Sequence, residues 1–193
     1  MRARTLHRSP ASELRRGVYP GTFNPPTVAH LAIAQHALRY ADHVDWVVSR
    51  VALGKEDVQV PTLAERVAVL EAVAASRPWL GVKVTDDRLL VDIARGYDVL
   101  VVGADKWAQV RDPAWYESVA ARDAALDALP RVIVVPRPGY DICGAEVLEL
   151  ENDHGQVSSS AAREGKLELM LPEAAAFDAA TGAWTDPDRY RSR

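Results

Sequence analysis

Short apolar runs alternate with stretches of helical periodicity along this chain, and the alternation constrains its fold more than any other feature. Residues 97–105 and 131–139 each contain a continuous apolar stretch, as expected of strands buried on both faces. Helical stretches at 27–41 and 62–76 lie between such runs. This order predicts an α/β fold, with a doubly wound parallel sheet flanked by helices in a single domain.

The remaining predicted elements are strands at 17–21, 43–53 and 81–87 and helices at 88–96, 158–166 and 172–182. Glu65 follows Thr62 by three residues, which predicts a capping box at the start of a helix. Residues 1–16 are predicted to be a flexible N-terminal leader and residues 186–193 a flexible C-terminal tail. The domain itself is then expected at residues 17–185.

Composition and charge argue against several classes of function. The chain has 193 residues and a net charge of −4, which disfavours a nucleic-acid partner because such proteins usually carry a basic face. Its apolar runs are too short to span a membrane. Cys143 is the single cysteine, so no disulfide can form within the chain, and we expect a cytoplasmic protein.

The stretch after the first predicted strand, "GTFNPPTVAH" at residues 21–30, is expected at a ligand site. Doubly wound sheets bind ligands beyond the carboxyl ends of their strands. Gly21 has no Cβ and therefore lets the backbone approach a ligand closely. Pro25 and Pro26 stiffen the turn, and the free N–H groups of the helix that follows make an anion site.

Two side chains at this helix start point to phosphate as the anion. Thr27 can cap the helix and also offer its hydroxyl to a phosphate oxygen. His30 lies one helical turn later, so it faces the same side and can donate to a phosphate. Each residue taken alone is more often structural, but their combination at this spacing indicates a phosphate site.

This stretch resembles the signature of the nucleotidylyltransferase superfamily: Gly-x-Phe-x-Pro, then His or Thr, two residues, and His. The resemblance implies a Rossmann-like sheet. It also implies transfer of a nucleoside monophosphate from ATP or CTP to a phosphate-bearing acceptor, with release of pyrophosphate. By this likeness, the ATP phosphates would contact Thr27, His30 and the backbone of Gly21, Thr22 and Phe23.

A second stretch, "VSSSAAR" at residues 157–163, resembles the same superfamily's Ile-Ser-Ser-(Ser/Thr)-x-x-(Arg/Lys) motif. Hydroxyls and free N–H groups at a helix start, followed by a cation, again suit phosphate. The likeness implies that Ser158, Ser159, Ser160 and Arg163 bind the β and γ phosphates of ATP.

The implied reaction is an in-line attack of the acceptor phosphate on the α-phosphorus of ATP. Nucleophile and leaving group are both anionic, so no general base is required, and catalysis depends on positioning and charge stabilisation. The catalytic residues implied are His30, Thr27 and Arg163. Mg²⁺ is expected as a cofactor carried by the ATP phosphates, without a metal site on the protein.

The middle of the chain bears on the acceptor. "VVGADKWAQVRDPAWY", residues 101–116, resembles nicotinate and nicotinamide mononucleotide adenylyltransferases. By this likeness Gly103 and Asp105 would hold the nucleotide, and Trp115 or Trp107 would stack on a pyridine ring. Lys55, in a further stretch similar to that branch, would bind the acceptor phosphate. Nicotinate mononucleotide is therefore the first expectation for the acceptor.

Other stretches favour other acceptors. "LLVDIAR" at 89–95 and "YPGTF" at 19–23 resemble phosphopantetheine adenylyltransferases, although the Arg-Gly-x-Arg of those enzymes is absent here. The pyridine-nucleotide enzymes usually carry a longer insert between positions 86 and 103. A phosphopantetheine adenylyltransferase, a CTP-dependent cytidylyltransferase and a nucleotide-binding paralogue without turnover remain alternatives.

A dehydrogenase is disfavoured because no Gly-x-Gly-x-x-Gly follows the first strand. A homo-oligomer is left open.

Overall fold

The fold is built on one six-stranded parallel sheet. The computed structural model describes residues 14–51, 60–150 and 157–193. The strand order is β3-β2-β1-β4-β5-β6, so the chain moves outward from β1 to β3 and then returns to the other side of β1. The strands are β1 (Arg16–Pro20), β2 (His43–Ser49), β3 (Leu80–Thr85), β4 (Val99–Gly103), β5 (Arg131–Val135) and β6 (Glu146–Val147). The predicted doubly wound sheet is confirmed.

Eight α-helices connect or follow these strands in the part of the chain that the structure describes. They are α1 (Val28–Ala37), α2 (Leu63–Ala74), α3 (Leu90–Ile93), α4 (Ala104–Arg111), α5 (Val119–Asp127), α6 (Ser159–Arg163), α7 (Pro172–Thr181) and α8 (Pro187–Arg191). The capping box predicted for α2 is present, with the N–H of Glu65 donating to Thr62 Oγ1 at 3.3 Å. None of the described helices has the length and apolar character needed to cross a membrane.

Helices cover both faces of the sheet, which explains the continuous apolar runs. Adjacent residues of β2 point to opposite faces, so Trp46 packs in one core cluster and Val47 in the other. The first cluster includes Ile33 of α1 and Leu70 of α2. The second includes Ile93 of α3, together with side chains of α4. The central strands therefore carry mostly apolar side chains on both faces, and Asp45 of β2 is buried together with charged partners.

Several elements differ from the sequence expectations. Helices α4 and α5 and the short edge strand β6 were not predicted. At the C-terminus, residues 186–193 contain α8 where a flexible tail was expected, and the Tyr190 hydroxyl hydrogen-bonds to Glu65. At the other end, Arg16, the last residue of the expected leader, begins β1; residues 1–13 lie outside the described part of the chain.

Candidate functional site

A cavity of about 340 Å³ opens at the carboxyl ends of β1 and β4, where the strand order changes direction. This is the place at which a doubly wound sheet is expected to bind its ligand. The predicted site residues that line it are Gly21, Thr22, Thr27, His30, Gly103, Asp105, Trp115, Ser158, Ser159, Ser160 and Arg163. The two motifs are far apart in sequence, and the fold brings both to one cavity.

Residues 21–27, here called the corner, turn the chain from β1 into α1. Phe23 has a φ of 45°, in the left-handed region that non-glycine residues rarely adopt. Its ring is 1% exposed and stacks on Trp46 with the ring centroids 4.9 Å apart. A Cβ at position 21 would lie 2.9 Å from this ring. Gly21 therefore makes room for the Phe23 ring. Phe23 itself is not among the described residues that line the cavity, so its predicted contact with phosphate stays a prediction.

Carbonyl groups of the corner are held by donors from other parts of the chain. The Arg66 guanidinium donates to the Thr22 oxygen at 3.0 Å, and the Arg163 guanidinium donates to the main-chain oxygen of Asn24. The oxygens of Pro25 and Pro26 accept from the Ser159 hydroxyl at 2.8 Å and from the N–H of Leu171 at 3.1 Å. These bonds fix the backbone conformation of the corner before any ligand binds.

His30 and Thr27 are joined at the start of α1. The Thr27 N–H donates to His30 Nδ1 at 3.0 Å, and the Thr27 hydroxyl lies 2.8 Å from the same nitrogen. His30 thus takes the position that Glu or Gln occupies in a capping box. Because Nδ1 accepts from the backbone, the neutral ring carries its proton on Nε2. The histidine at the cavity wall is therefore a hydrogen-bond donor.

The serine motif lines the same cavity and is bonded to the corner. Ser158 caps α6 by accepting from the N–H of Ala161 at 3.1 Å. Ser160 accepts from Arg163 Nη2 at 3.0 Å, and Ser159 bonds to Pro25 as described above. Ser159 and Arg163 therefore join the two motifs, a role that sequence reasoning missed. Their contact with phosphate stays a prediction.

At the ends of β4 and β5, an ion pair lies on the cavity wall. Arg137 Nε is 3.3 Å from Asp105 Oδ1. A Cβ at position 103 would lie 2.5 Å from the same carboxylate oxygen, so Gly103 allows Asp105 to fold back over it. Tyr19 lies beside this pair, and burial raises the pKa of its hydroxyl, which keeps it neutral. The spacing of Gly103 and Asp105 thus has a steric reason.

The cavity wall has an excess of positive charge. Of its described lining residues, four are cationic, Arg88, Lys106, Arg137 and Arg163, and Asp105 is the one carboxylate. In a chain of net charge −4, this local excess marks a site for a polyanion. Arg88 and Arg137 follow β3 and β5 closely, so they could have been inferred from the rule that parallel strands end at the same edge. For Lys106, which lies within α4, no comparable sequence pattern indicated a place on the cavity wall.

Of the three residues predicted to bind the acceptor, only Trp115 is found at the cavity among the described residues. Trp115 lines the cavity and is 41% exposed. Trp107 does not stack there: it is 6% exposed, packs in the second core cluster and donates its indole N–H to the Cys143 oxygen at 3.2 Å. Burial among apolar side chains of α4 and β4 removes it from the predicted ring-binding role. Lys55 lies outside the described residues.

Comparison with known proteins agrees with this geometry. A family model described as cytidylyltransferase-like matches residues 18–165, which is more than half of the chain and includes both motifs. The chain belongs to the cytidylyltransferase-like family. The predicted membership of the nucleotidylyltransferase superfamily is thereby confirmed.

Relatives within this family are named for one acceptor. A phosphopantetheine adenylyltransferase of Cereibacter sphaeroides is 36% identical over 121 residues, covering 60% of this chain and 70% of that protein. Those of Dinoroseobacter shibae and Ruegeria pomeroyi are 40% and 38% identical over 42% and 47% of this chain. The matches span 48% and 56% of those two relatives. These names give the second acceptor expected from the sequence, and they do not support nicotinate mononucleotide.

Proposed function

We propose that this protein transfers the adenylyl group of MgATP to the phosphate of phosphopantetheine and releases pyrophosphate. The observation that carries the proposal is the cavity at the carboxyl ends of β1 and β4. Both predicted phosphate-binding motifs line it, together with four cations and one carboxylate. The names of the relatives support the acceptor. The family model, whose description names a cytidylyltransferase, is the reason to test CTP as well.

The chemistry requires one bond to form and one to break. A phosphate oxygen of the acceptor attacks the α-phosphorus of ATP, and the bond from that phosphorus to the bridging oxygen of pyrophosphate breaks. Magnesium enters and leaves with the nucleotide and pyrophosphate. The protein's task is to hold two anionic phosphate groups in line and to stabilise the charge that develops.

Each motif has a part in this task. His30 donates from Nε2 to a phosphate oxygen. The corner amides other than those of Gly21 and Thr27, which donate within the protein, bind the same group, since their backbone is fixed by the bonds described above. Arg163 and the serines, which line the same cavity, bind the leaving pyrophosphate. Asp105, oriented by Arg137, accepts from the nucleoside.

The wall beside α3 supports an aliphatic acceptor. Leu89, Leu90 and Ile93 line the cavity there, and Arg88 lies next to them. An apolar wall with a cation at its end suits a pantetheine arm that carries a phosphate. The burial of Trp107 removes one of the two indoles that a pyridine ring would have used.

The direct test is pyrophosphate release by the purified protein with MgATP or MgCTP. Phosphopantetheine, nicotinate mononucleotide and nicotinamide mononucleotide are supplied separately, with the His30→Ala variant as the control for contaminating enzymes. We expect release with MgATP and phosphopantetheine, and its loss in the variant.

Two results would overturn the proposal. Release of pyrophosphate only with a pyridine mononucleotide would show that phosphopantetheine is not the acceptor, although the protein would still be a nucleotidyltransferase. A folded protein that binds MgATP but releases no pyrophosphate with any acceptor would reject the assigned reaction.

A further inference from the structure

The C-terminal segment, residues 166–193, lies outside the family match but is bonded to the corner. The indole N–H of Trp184 donates to Asn24 Oδ1 at 2.5 Å. The N–H of Leu171 donates to the Pro26 oxygen at 3.1 Å, and Met170 forms an antiparallel bridge with Thr27. The segment therefore contacts the corner at three points.

Asn24 is the residue held most completely. It is 8% exposed, and Trp184 is 2% exposed, so their hydrogen bond is shielded from water. Arg163 binds the main-chain oxygen of Asn24 while Trp184 binds its side chain. Because Pro25 and Pro26 have no N–H groups, the corner has few donors of its own, and other segments must fix its backbone.

The Trp184 ring is itself held rigidly. It packs against Phe177 of α7 with the ring centroids 5.6 Å apart. The Asp178 carboxylate accepts from the main-chain N–H of Trp184 at 2.6 Å and from the Thr185 hydroxyl at 2.5 Å. A ring fixed in this way presents its N–H in one direction only.

We infer that Trp184 is a positioning residue for nucleotidyl transfer, acting through Asn24 on the backbone that binds the phosphates. The inference rests on the proposed function for its effect on turnover, but its structural part can be measured without substrate. Removing the indole N–H lets Asn24 and the residues around it move. Small displacements of groups that hold reacting atoms lower turnover strongly.

The test compares Trp184→Phe with Tyr190→Phe. The first keeps an aromatic ring and removes the donor to Asn24. The second removes the hydroxyl through which the same C-terminal segment bonds to Glu65, and it leaves the bond from Trp184 to Asn24 in place. The measurements are kcat, KM for MgATP, the melting temperature, and amide hydrogen exchange at residues 21–24 and at Thr27.

We expect Trp184→Phe to lower kcat about tenfold and to speed amide exchange in the corner. Tyr190→Phe should lower the melting temperature, because it removes the bond to Glu65, and leave kcat and corner exchange as in the wild type. Asn24→Ala should reproduce the effect of Trp184→Phe, and the double variant should lose little more, because both changes remove one interaction.

Wild-type kcat and wild-type exchange in a folded Trp184→Phe protein would overturn the inference, as would additive losses in the double variant. If the wild type transfers no adenylyl group, the exchange data still decide. Faster exchange at 21–24 in Trp184→Phe alone would then support the role of Trp184 in the absence of the proposed reaction. Equal exchange in both variants would reject it.

Discussion

Two polar clusters of the same sheet handle charge in opposite ways. One, the Asp45 cluster, consists of Arg16, His43, Asp45, Lys83 and Tyr97. Its carboxylate side chain is 3% exposed, with Arg16 at 2.5 Å, Lys83 at 2.9 Å and the Tyr97 hydroxyl at 2.9 Å. The other is the cavity, whose described lining residues include four cationic side chains and one carboxylate.

The difference separates a structural cluster from a binding site. In the Asp45 cluster the buried carboxylate is surrounded by its partners, so the protein satisfies the charge itself. In the cavity, the described lining residues carry more positive than negative charge, which suits an anionic ligand. Changes in the first cluster should therefore lower stability, and changes in the second should lower turnover or affinity.

The largest effect is expected at His30. His30→Ala removes a preorganised donor to phosphate and should lower kcat by about 10²–10³. The melting temperature should fall only modestly, because the ring caps the first turn of α1 and contacts Phe23 from a half-buried position. Steady-state pyrophosphate release and thermal unfolding measure the two quantities. Undiminished turnover in the folded variant would remove His30 from the reaction.

Two glycines offer a matched pair, since each lies beneath a carboxylate. A Cβ at Gly81 would overlap Asp45 Oδ1, and a Cβ at Gly103 would lie 2.5 Å from Asp105 Oδ1. Asp45 cannot move away from its partners, so Gly81→Ala should lower the free energy of unfolding by about 1–3 kcal/mol. Asp105 is 44% exposed and can turn outward. Gly103→Ala should therefore raise the KM for MgATP and change stability little.

Urea unfolding and steady-state kinetics on both glycine variants test this pair. The comparison between the clusters fails if Gly103→Ala unfolds as readily as Gly81→Ala, or if Gly81→Ala in its folded form has a raised KM.

Arg88→Ala tests the charge excess on the acceptor side. Loss of a cation that pairs with phosphate should raise the KM for phosphopantetheine about tenfold. Lys83→Ala removes the same charge from the Asp45 cluster, so it should lower stability and leave that KM unchanged. Equal KM values in both variants would mean that Arg88 does not contact the acceptor.

The smallest effect should appear only in acid. Burial raises the pKa of Asp45, but hydrogen bonds from Lys83, Tyr97 and Arg16 outweigh burial and hold the pKa below its usual value of 3.8. Because the folded pKa is the lower one, Asp45 adds stability above the usual value, and this is lost as pH falls through the folded pKa. The free energy of unfolding, measured with urea, should therefore fall more steeply in acid for the wild type than for Asp45→Asn. Parallel pH curves would contradict this.

The sequence allowed much of the fold and one half of the site to be predicted. Continuous apolar runs gave β4 and β5, and the Thr62–Glu65 spacing gave the start of α2. The phosphate motifs were found because their glycine, proline and serine residues indicate turns and helix starts from the local sequence alone. Helices α4 and α5 were missed because α4 is short and buries only three residues and α5 buries none, although Ser118 caps the start of α5.

The rest depends on contacts that no local pattern contains. The bond from Trp184 to Asn24 joins residues 160 positions apart, so the C-terminal segment could not be connected to the corner from sequence. Trp107 and Trp115 have the same side chain and lie close in sequence, yet one is 6% exposed and the other 41%. Tertiary packing, and not residue type, decides which of them can reach a ligand.

We propose that the cavity joins an adenylyl group to phosphopantetheine. A competition experiment tests this: the protein receives MgATP with equal amounts of phosphopantetheine, nicotinate mononucleotide and nicotinamide mononucleotide, and mass spectrometry identifies the products. We expect dephospho-coenzyme A as the main product of the wild type and its absence with His30→Ala. A pyridine dinucleotide as the main product, or no adenylylated product from a folded protein, would contradict it.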